Sequence, residues 1–499
     1  MNLKTLNNVY FIGIGGIGMS ALARYFRSIG KNVAGYDKTE TPLTRELVDL
    51  GIDVHYDDNM ALVPKNFYNA NSTAADSSEN VSAKFLKSAS AKKSPNTSEN
   101  ISGHASAKKT SNAHEDTLVV YTPAVPTNHS EYQFFLKQDF ELKKRSEVLG
   151  LITKDSHCFA VAGTHGKTTT TCILAHLLKE TGIKFTGFLG GISEDFNSNF
   201  VFEGTDYSVV EADEFDRSFL RLFPDVACVT SMDADHLDIY GDEGELRKSF
   251  LEFAEKVAPS GKLFVRNGLE LNGFPPHRLT YGIEDGSDFC IENIRIEQGT
   301  YVFDLVTPAT RLPDTRFTKP GRHNLLNGLV AFAMALETGA KSEELAEALA
   351  TFKGVQRRFS YKVKREDFLY IDDYAHHPTE IDAVYEAISE MHPGKETLVV
   401  FQPHLFSRTR DFADAFAKSL SRFDSILLLD IYPAREQPIP GITSEWLLEK
   451  MDHPQKKSLQ KSELITEIKK QNPDILVTLG AGDIGLETQK LKLEFEHAD

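Results

Sequence analysis

Between Phe159 and Leu178 the chain passes from a strand, through a turn of glycines, directly into a helix. Phe159, Ala160 and Val161 read as the end of a buried strand, and Ile173, Leu174, Leu177 and Leu178 repeat at helical spacing until Gly182. The turn itself is Gly163-Thr-His-Gly-Lys-Thr-Thr169. Backbone N–H groups of the turn and of the helix N-terminus point at one spot, Lys167 adds a positive charge, and the Thr168 hydroxyl can ligate magnesium. The segment is therefore expected to cradle phosphates, with Gly163, Thr164, His165, Gly166, Lys167, Thr168 and Thr169 as its lining. It departs from the strict pattern GxxxxGK[ST], because Val161 stands where the first glycine would be.

A second glycine turn lies near the start. The strand Val9 to Ile12 runs into Gly13-Ile-Gly-Gly-Ile-Gly-Met19 and a helix through Ala21, Leu22, Tyr25 and Phe26. Gly13, Gly15 and Gly18 satisfy GxGxxG, and Asp37 follows a second strand at about the distance of a ribose-binding acid. The same turn accepts any diphosphate, so the residues leave a nicotinamide dinucleotide and a nucleotide sugar both open. From about 69 to 115 the composition shifts to Asn, Ser, Ala, Lys and Thr, with Ser-Ala-Lys recurring. Too few large apolar residues are present to offset ordering entropy, and a disordered surface insertion is expected.

After the phosphate loop, two strands end in acids: Tyr207 to Val210 in Glu211-Ala-Asp-Glu214, and Val226 to Thr230 in Ser-Met-Asp-Ala-Asp-His-Leu-Asp238. Either cluster alone reads equally as a solvated loop. Beside a phosphate loop in a parallel sheet, Glu211 and His236 become candidate ligands for one or two divalent ions. Further on, Lys319-Pro-Gly-Arg-His-Asn-Leu-Leu-Asn327 precedes an apolar helix, with Asn324 either a cap or a contact to a nucleotide base. A third strand–loop–helix follows at Leu369-Tyr-Ile-Asp-Asp-Tyr-Ala-His-His-Pro-Thr-Glu380. Strands then recur at Thr397, Ile426 and Ile475, each ending in polar or glycine-rich sequence. Strands alternating with helices predict an α/β chain of doubly wound sheets.

Size and charge narrow the class. With 499 residues the chain holds two or three domains, and a net charge of −17 argues against general nucleic-acid binding. Cys158, Cys172, Cys228 and Cys290 form no CxxC pair and read as buried small hydrophobes. No run of eighteen apolar residues occurs, so no membrane insertion and a cytoplasmic place are expected.

Taken together these motifs resemble the Mur ligase family, over essentially the whole chain outside 69–115. The marks are the two glycine loops, Glu211-Ala-Asp-Glu214, Asp233-Ala-Asp-His-Leu-Asp238, Gly321-Arg-His-Asn-Leu-Leu-Asn327, Asp372 to Glu380, and Phe401-Gln-Pro-His404 with Ser407-Arg-Thr-Arg410. The N-terminal loop is most similar to the branch that adds the first residue of the stem peptide. The resemblance implies three consecutive α/β domains: a Rossmann-like UDP-sugar-binding domain (1–153), a central P-loop-type ATP-binding domain (154–358) and a Rossmann-like amino-acid-binding domain (359–499). It implies ATP-dependent joining of L-alanine to the lactyl carboxylate of UDP-N-acetylmuramate through an acyl phosphate, in peptidoglycan precursor synthesis, by a monomer or weak homodimer. Gly13, Gly15, Gly16, Gly18, Met19 and Asp37 become nucleotide-sugar contacts. Thr168 and Glu211 would hold one Mg2+ and His236 a second. Asn324, Asn327 and Arg358 join the ATP contacts, and Tyr374, His376 and Arg408 receive the amino acid. Lys167, His236, His376, Arg408 and Asp373 are the residues expected to act in catalysis. Lys248 lies near the place where sibling ligases carry a carbamylated lysine, and no carbamylation is predicted for it. The rival activities are a sibling ligase that attaches a preformed tripeptide, and a nicotinamide-dependent oxidoreductase resting on GxGxxG and Asp37 alone.

Overall fold

The computed structural model describes residues 3, 5–69, 113–233, 240, 242–270, 273–275, 278–434 and 436–496. The insertion expected at about 69–115 lies almost wholly outside the described residues, as does His236. At its far margin, Ala113–Asp116 form a helical turn leading into a strand. The chain divides into two compact units, Met1–Ile152 and Thr153–Asp499. Among the described residues no helix is long and apolar enough to cross a membrane.

The first unit is built on a five-stranded parallel sheet, in spatial order Asp53–His55, Asn32–Tyr36, Asn8–Ile12, Thr117–Tyr121 and Glu141–Lys144. Its central strand, Asn8–Ile12, is buried at every position. An apolar run without alternation is what a strand covered on both faces requires. Helix Ile17–Ser28 follows this strand directly and buries Met19, Leu22, Ala23 and Phe26.

The second unit contains two sheets. The first has ten strands, in spatial order Arg311–Phe317, Thr300–Val306, Phe289–Glu297, Leu279–Ile283, Lys262–Arg266, Val226–Val229, His157–Ala162, Tyr207–Ala212, Phe185–Ser193 and Ser198–Phe202. The strands from Phe289 to Phe185 in this order are mutually parallel, and antiparallel strands close both edges. Strand His157–Ala162 lies between Val226–Val229 and Tyr207–Ala212, with Val161 level with Glu211 and Ala162 level with Val229. This register brings the acid-bearing ends of both neighbours to the phosphate loop. Helix Lys167–Glu180 packs on helix Arg322–Leu336, whose buried residues surround it on all sides as in a core helix.

The last sheet has six strands: Ser360–Lys364, Leu369–Asp373, Ile475–Leu479, Thr397–Phe401, Ser425–Leu428 and Lys456–Ser458. All pair in parallel except the first, which is antiparallel to Leu369–Asp373. The strand latest in sequence inserts between the second and fourth, so chain order reverses there. The carboxyl ends of those strands, at Asp373, Gly480 and Gln402, border the crevice where doubly wound sheets receive ligands. Three consecutive α/β domains are thus present, as the motifs implied. All four cysteines are free and buried.

Candidate active site

The phosphate loop is held open by its neighbour strand. Thr164 N donates to Ser231 O (3.1 Å), His165 N donates to Ser231 Oγ (2.8 Å), and the Thr230 hydroxyl donates to the carbonyls of His165 and Ala162. Asp233 N donates to Thr164 Oγ1 (3.0 Å). This close seating explains the glycines. Gly163 has φ +137°, and a Cβ there would stand 2.0 Å from Thr230 Oγ1; at Gly166, with φ +83°, it would stand 2.5 Å from Asn327 Oδ1. Side chains rarely tolerate such backbone geometry, and here there is no room for one either. Helix Lys167–Glu180 begins at Gly166 with no side-chain cap.

Lys167 lies in a buried nest of acids. Its Nζ donates to Gly163 O (2.7 Å) and Glu214 Oε1 (3.0 Å), and Glu214 Oε2 lies 2.8 Å away. Burial opposes the charge on Lys167, but Glu214, Glu211 and Asp213 outweigh it and hold the ammonium above its ordinary pKa. Burial raises the carboxyls of Glu211 and Glu214, only partly offset by Lys167. Glu211 also receives a hydrogen bond from Thr168, while its Oε2 is buried without a hydrogen-bond partner. That oxygen has room because Gly190 stands opposite, where a Cβ would fall 1.8 Å from it.

These donors suit magnesium. Among the described residues no group of three or more His, Cys, Asp or Glu forms a complete metal site. Magnesium, however, is commonly held by one or two protein oxygens together with substrate phosphates, and an orphaned carboxylate oxygen beside a threonine hydroxyl supplies that set.

On the C-terminal side, the corner after strand Leu369–Asp373 gathers the expected amino-acid residues. Asp373 accepts from Phe359 N (2.6 Å) and Ala375 N (2.7 Å), fixing the corner to the 354–359 segment; burial raises its carboxyl to about 6, against the pull of Arg358. Tyr374 N donates to Arg357 O, and the guanidinium carbons of Arg357 and Arg358 lie 5.3 and 5.1 Å from the Tyr374 ring centroid. His376 Nδ1 lies 3.0 Å from Tyr374 O. A carbonyl only accepts, so this nitrogen carries the proton and Nε2 is the basic nitrogen of the neutral ring. The His376 ring neighbours His404 (centroids 6.1 Å apart), which stacks on Tyr432 and lies 3.4 Å from Arg408 Nη1. Leu405, with φ +71°, starts the short helix Phe406–Asp411 that carries Arg408.

The two halves of this unit meet at Glu380. Its Oε1 lies 3.3 Å from His165 Nδ1 of the phosphate loop, and its Oε2 accepts from His376 N (2.9 Å) and His377 N (3.2 Å). Burial opposes ionisation of Glu380, yet His376, His165 and Arg358 hold its carboxyl well below the usual range. His165 is raised: burial works against its charge and Glu380 and Asp233 outweigh it.

In the first unit, Gly15 N donates to Asp37 Oδ2 (2.7 Å) and Thr39 N to Oδ1 (3.2 Å), so Asp37 ties the glycine loop to the turn after strand Asn32–Tyr36. Gly16 is the N-cap of helix Ile17–Ser28 and no side chain caps it. The Met19 side chain is buried, with its Cγ 3.9 Å from where a Cβ on Gly16 would stand. Arg145 crosses the helix start, where a Cβ on Gly18 would meet its Nη1 at 2.6 Å.

Three family models match in order: "Mur ligase family, catalytic domain" over residues 8–157, "Mur ligase middle domain" over 161–335 and "Mur ligase, glutamate ligase domain" over 357–482. The chain belongs to the Mur ligase family. It is 53% identical to the UDP-N-acetylmuramate–L-alanine ligase of Flavobacterium psychrophilum, across 99% of this chain and 100% of that one. Among solved structures it resembles the UDP-N-acetylmuramate–alanine ligase MurC of Thermotoga maritima (TM-score 0.73, 25% identity, 99% and 100% of the two chains). It shares its fold with a murein peptide ligase of Psychrobacter arcticus (TM-score 0.64, 21% identity, 99% of both chains).

Within this Mur ligase the structure brings Gly163 to Thr169, Glu211, Asn327 and Glu380 into one neighbourhood, with Asp373, Tyr374 and His376 adjoining it through Glu380. Asn324 is no N-cap. It lies inside helix Arg322–Leu336, where Gly321 is the cap, and its Nδ2 reaches back to Pro320 O (2.6 Å) while its Oδ1 lies 3.3 Å from Asn327 Nδ2. Sequence reading named Glu214, Ser231, His404 and Glu380 only as members of motifs or acid clusters, and gave Gly190, Arg357 and Arg145 no role. The doublet Gly190-Gly191 inside a strand was a usable signal, since glycine there often marks a close approach. The others are ordinary polar residues until the fold places them.

Proposed function

We propose that this Mur ligase joins L-alanine to the lactyl carboxylate of UDP-N-acetylmuramate, giving UDP-N-acetylmuramoyl-L-alanine, ADP and phosphate, in cytoplasmic peptidoglycan precursor synthesis. The observation that carries the reading is the contact between His165 of the phosphate loop and the corner bearing Tyr374 and His376, through Glu380. An ATP γ-phosphate and an amine arriving on the C-terminal domain would share one site. Full-length identity to ligases of that name supports the same choice of substrates.

A carboxylate repels the γ-phosphate it must attack. Lys167 and the uncapped helix start at Gly166 offer positive potential to the phosphates. Thr168 and Glu211 would hold one magnesium ion and His236 a second, and bound ions supply further charge neutralisation. The carboxylate oxygen bonds to the γ-phosphorus as the bond to ADP breaks, giving an acyl phosphate. The amine of alanine then attacks the acyl carbon and phosphate leaves. That amine is mostly protonated near neutrality, and His376 Nε2 is the base that takes its proton. Arg408 pairs with the alanine carboxylate through parallel hydrogen bonds. Gly13, Gly15, Gly16, Gly18 and the Met19 backbone receive the UDP diphosphate, and Asp37 holds that loop in shape.

Purified protein incubated with UDP-N-acetylmuramate, ATP and magnesium, with either L-alanine or L-alanyl-γ-D-glutamyl-meso-diaminopimelate, tests the reading. Mass spectrometry should find the alanyl product and ADP in equal amounts. Product from the tripeptide alone would assign the sibling activity instead.

A further inference from the structure

Glu380 stands at the third position of helix Pro378–Met391, in a capping box with His377 at the N-cap. That box engages a single oxygen: Oε2 accepts from His377 N and His376 N. The same carboxylate does two further things that no helix cap requires. Oε1 reaches 3.3 Å to His165 Nδ1, a residue 215 positions earlier in the phosphate loop, and Oε2 lies 3.3 Å from Nδ1 of His376. His165 is held by its backbone, whose N–H donates to Ser231 Oγ (2.8 Å), while its Nε2 makes no hydrogen bond and lies 3.4 Å from Asp233 Oδ2. The side chain of Glu380 is only 17% exposed, so water screens these contacts weakly.

We infer that Glu380 is a positioning residue that couples the phosphate loop to the amino-acid-receiving corner, its one carboxylate holding His165 on the ATP side and His376 on the alanine side in register. The inference rests on the ligase reading above. Its physical content is that the two histidines, which follow strands of different sheets, sense one another through a fixed anion. Moving the loop toward phosphate would thus bring the base toward the amine, and a mispositioned loop would leave the base out of line.

Glu380→Gln separates this role from capping. The amide oxygen still accepts from the backbone N–H groups, so the helix start survives, whereas the negative charge shared by the histidines is lost. The experiment uses the full chain with UDP-N-acetylmuramate, ATP, magnesium and L-alanine. The parent must make the alanyl product; if it does not, the ligase reading fails, independently of Glu380. Given that activity, Glu380→Gln should melt with the parent while its kcat falls at least tenfold. Combining His165→Asn with His376→Asn in the parent should give an effect far from the product of the two single effects. In the Glu380→Gln background the two should become multiplicative. Parent-like kcat in Glu380→Gln, or unchanged coupling between the two histidine substitutions in that background, would overturn the inference. Should Glu380→Gln unfold early, Glu380→Asp, which keeps the charge on a shorter arm, is compared at a temperature where both are folded. Recovery of kcat and coupling by Asp but not by Gln supports the role, and equal loss in both overturns it.

Discussion

Replacing Glu131 by Gln should remove much of the weakening that the first unit of the parent shows as pH rises from 4.5 to about 7. Glu131 sits in the first turn of helix Ser130–Lys137, with 0% of its surface exposed. Its Oε2 accepts from the Tyr10 hydroxyl (2.7 Å), and its Oε1 lies 3.3 Å from His55 Nε2. Burial pushes the carboxyl from 4.5 to about 7, the Tyr10 hydrogen bond opposing and Asp58 adding to the rise. The native state therefore keeps this proton to a higher pH than the unfolded chain does. Between pH 4.5 and about 7 the native state binds more protons, so stability falls as pH rises through that window. The gap corresponds to at most about 3.4 kcal/mol at 1.36 kcal/mol per pH unit, or roughly 300-fold in an opening equilibrium. Glutamine keeps the acceptor for Tyr10 and cannot ionise. His55 and His129 are both lowered by burial and so are neutral at pH 8, where the difference between parent and variant reads Glu131.

The assay must look at this unit, and the sole tryptophan, Trp446, belongs to the other. Hydrogen exchange followed by mass spectrometry on peptides covering Asn8–Ile12 and Thr117–Tyr121 reads the right sheet. Compared at equal pH, Glu131→Gln should match the parent near pH 5 and be protected up to about 300-fold more at pH 8. A difference that is constant with pH, or one that favours the parent at pH 8, would refute the reasoning.

Further outcomes follow from the second unit. Gly163→Ala places a methyl 2.0 Å from Thr230 Oγ1 at φ +137°, and product formation should drop more than about 100-fold, with UDP-N-acetylmuramate binding by calorimetry unchanged. Lys167→Met leaves Glu211 and Glu214 buried without their cation; it should destabilise the second unit by roughly 3–5 kcal/mol in urea titrations read by Trp446, and product formation should fall at least about 1,000-fold. Chelation by EDTA should abolish product formation and added magnesium should restore it, while Glu211→Gln should require about tenfold more magnesium for half-maximal rate.

Legibility in the sequence followed the range of the interactions. The strand–loop–helix at Gly163 to Thr169 was readable because a strand end, a glycine pair and a helix start are adjacent along the chain. The same holds for Gly13 to Gly18 and for Asp372 to Glu380. The strands Leu279–Ile283, Phe289–Glu297, Thr300–Val306 and Arg311–Phe317 escaped notice. In Phe289–Glu297 the first three residues are buried and the rest alternate with charged ones, so its apolar signal is short and interrupted. A cap was one of two readings open for Asn324, because caps and first-turn residues differ only by the backbone angles around them.

Local order along the chain determined three α/β domains, the phosphate loop and the glycine loop, because each depends on residues within about twenty positions of one another. Tertiary structure alone decided which partners those loops meet. The register of strand His157–Ala162 against its neighbours sets Glu211 and Ser231 beside the loop, and packing within the second unit sets Glu380 against His165. Residue types along the chain carry no record of such distances, since a carboxylate reads the same whether it faces solvent or a histidine from another sheet.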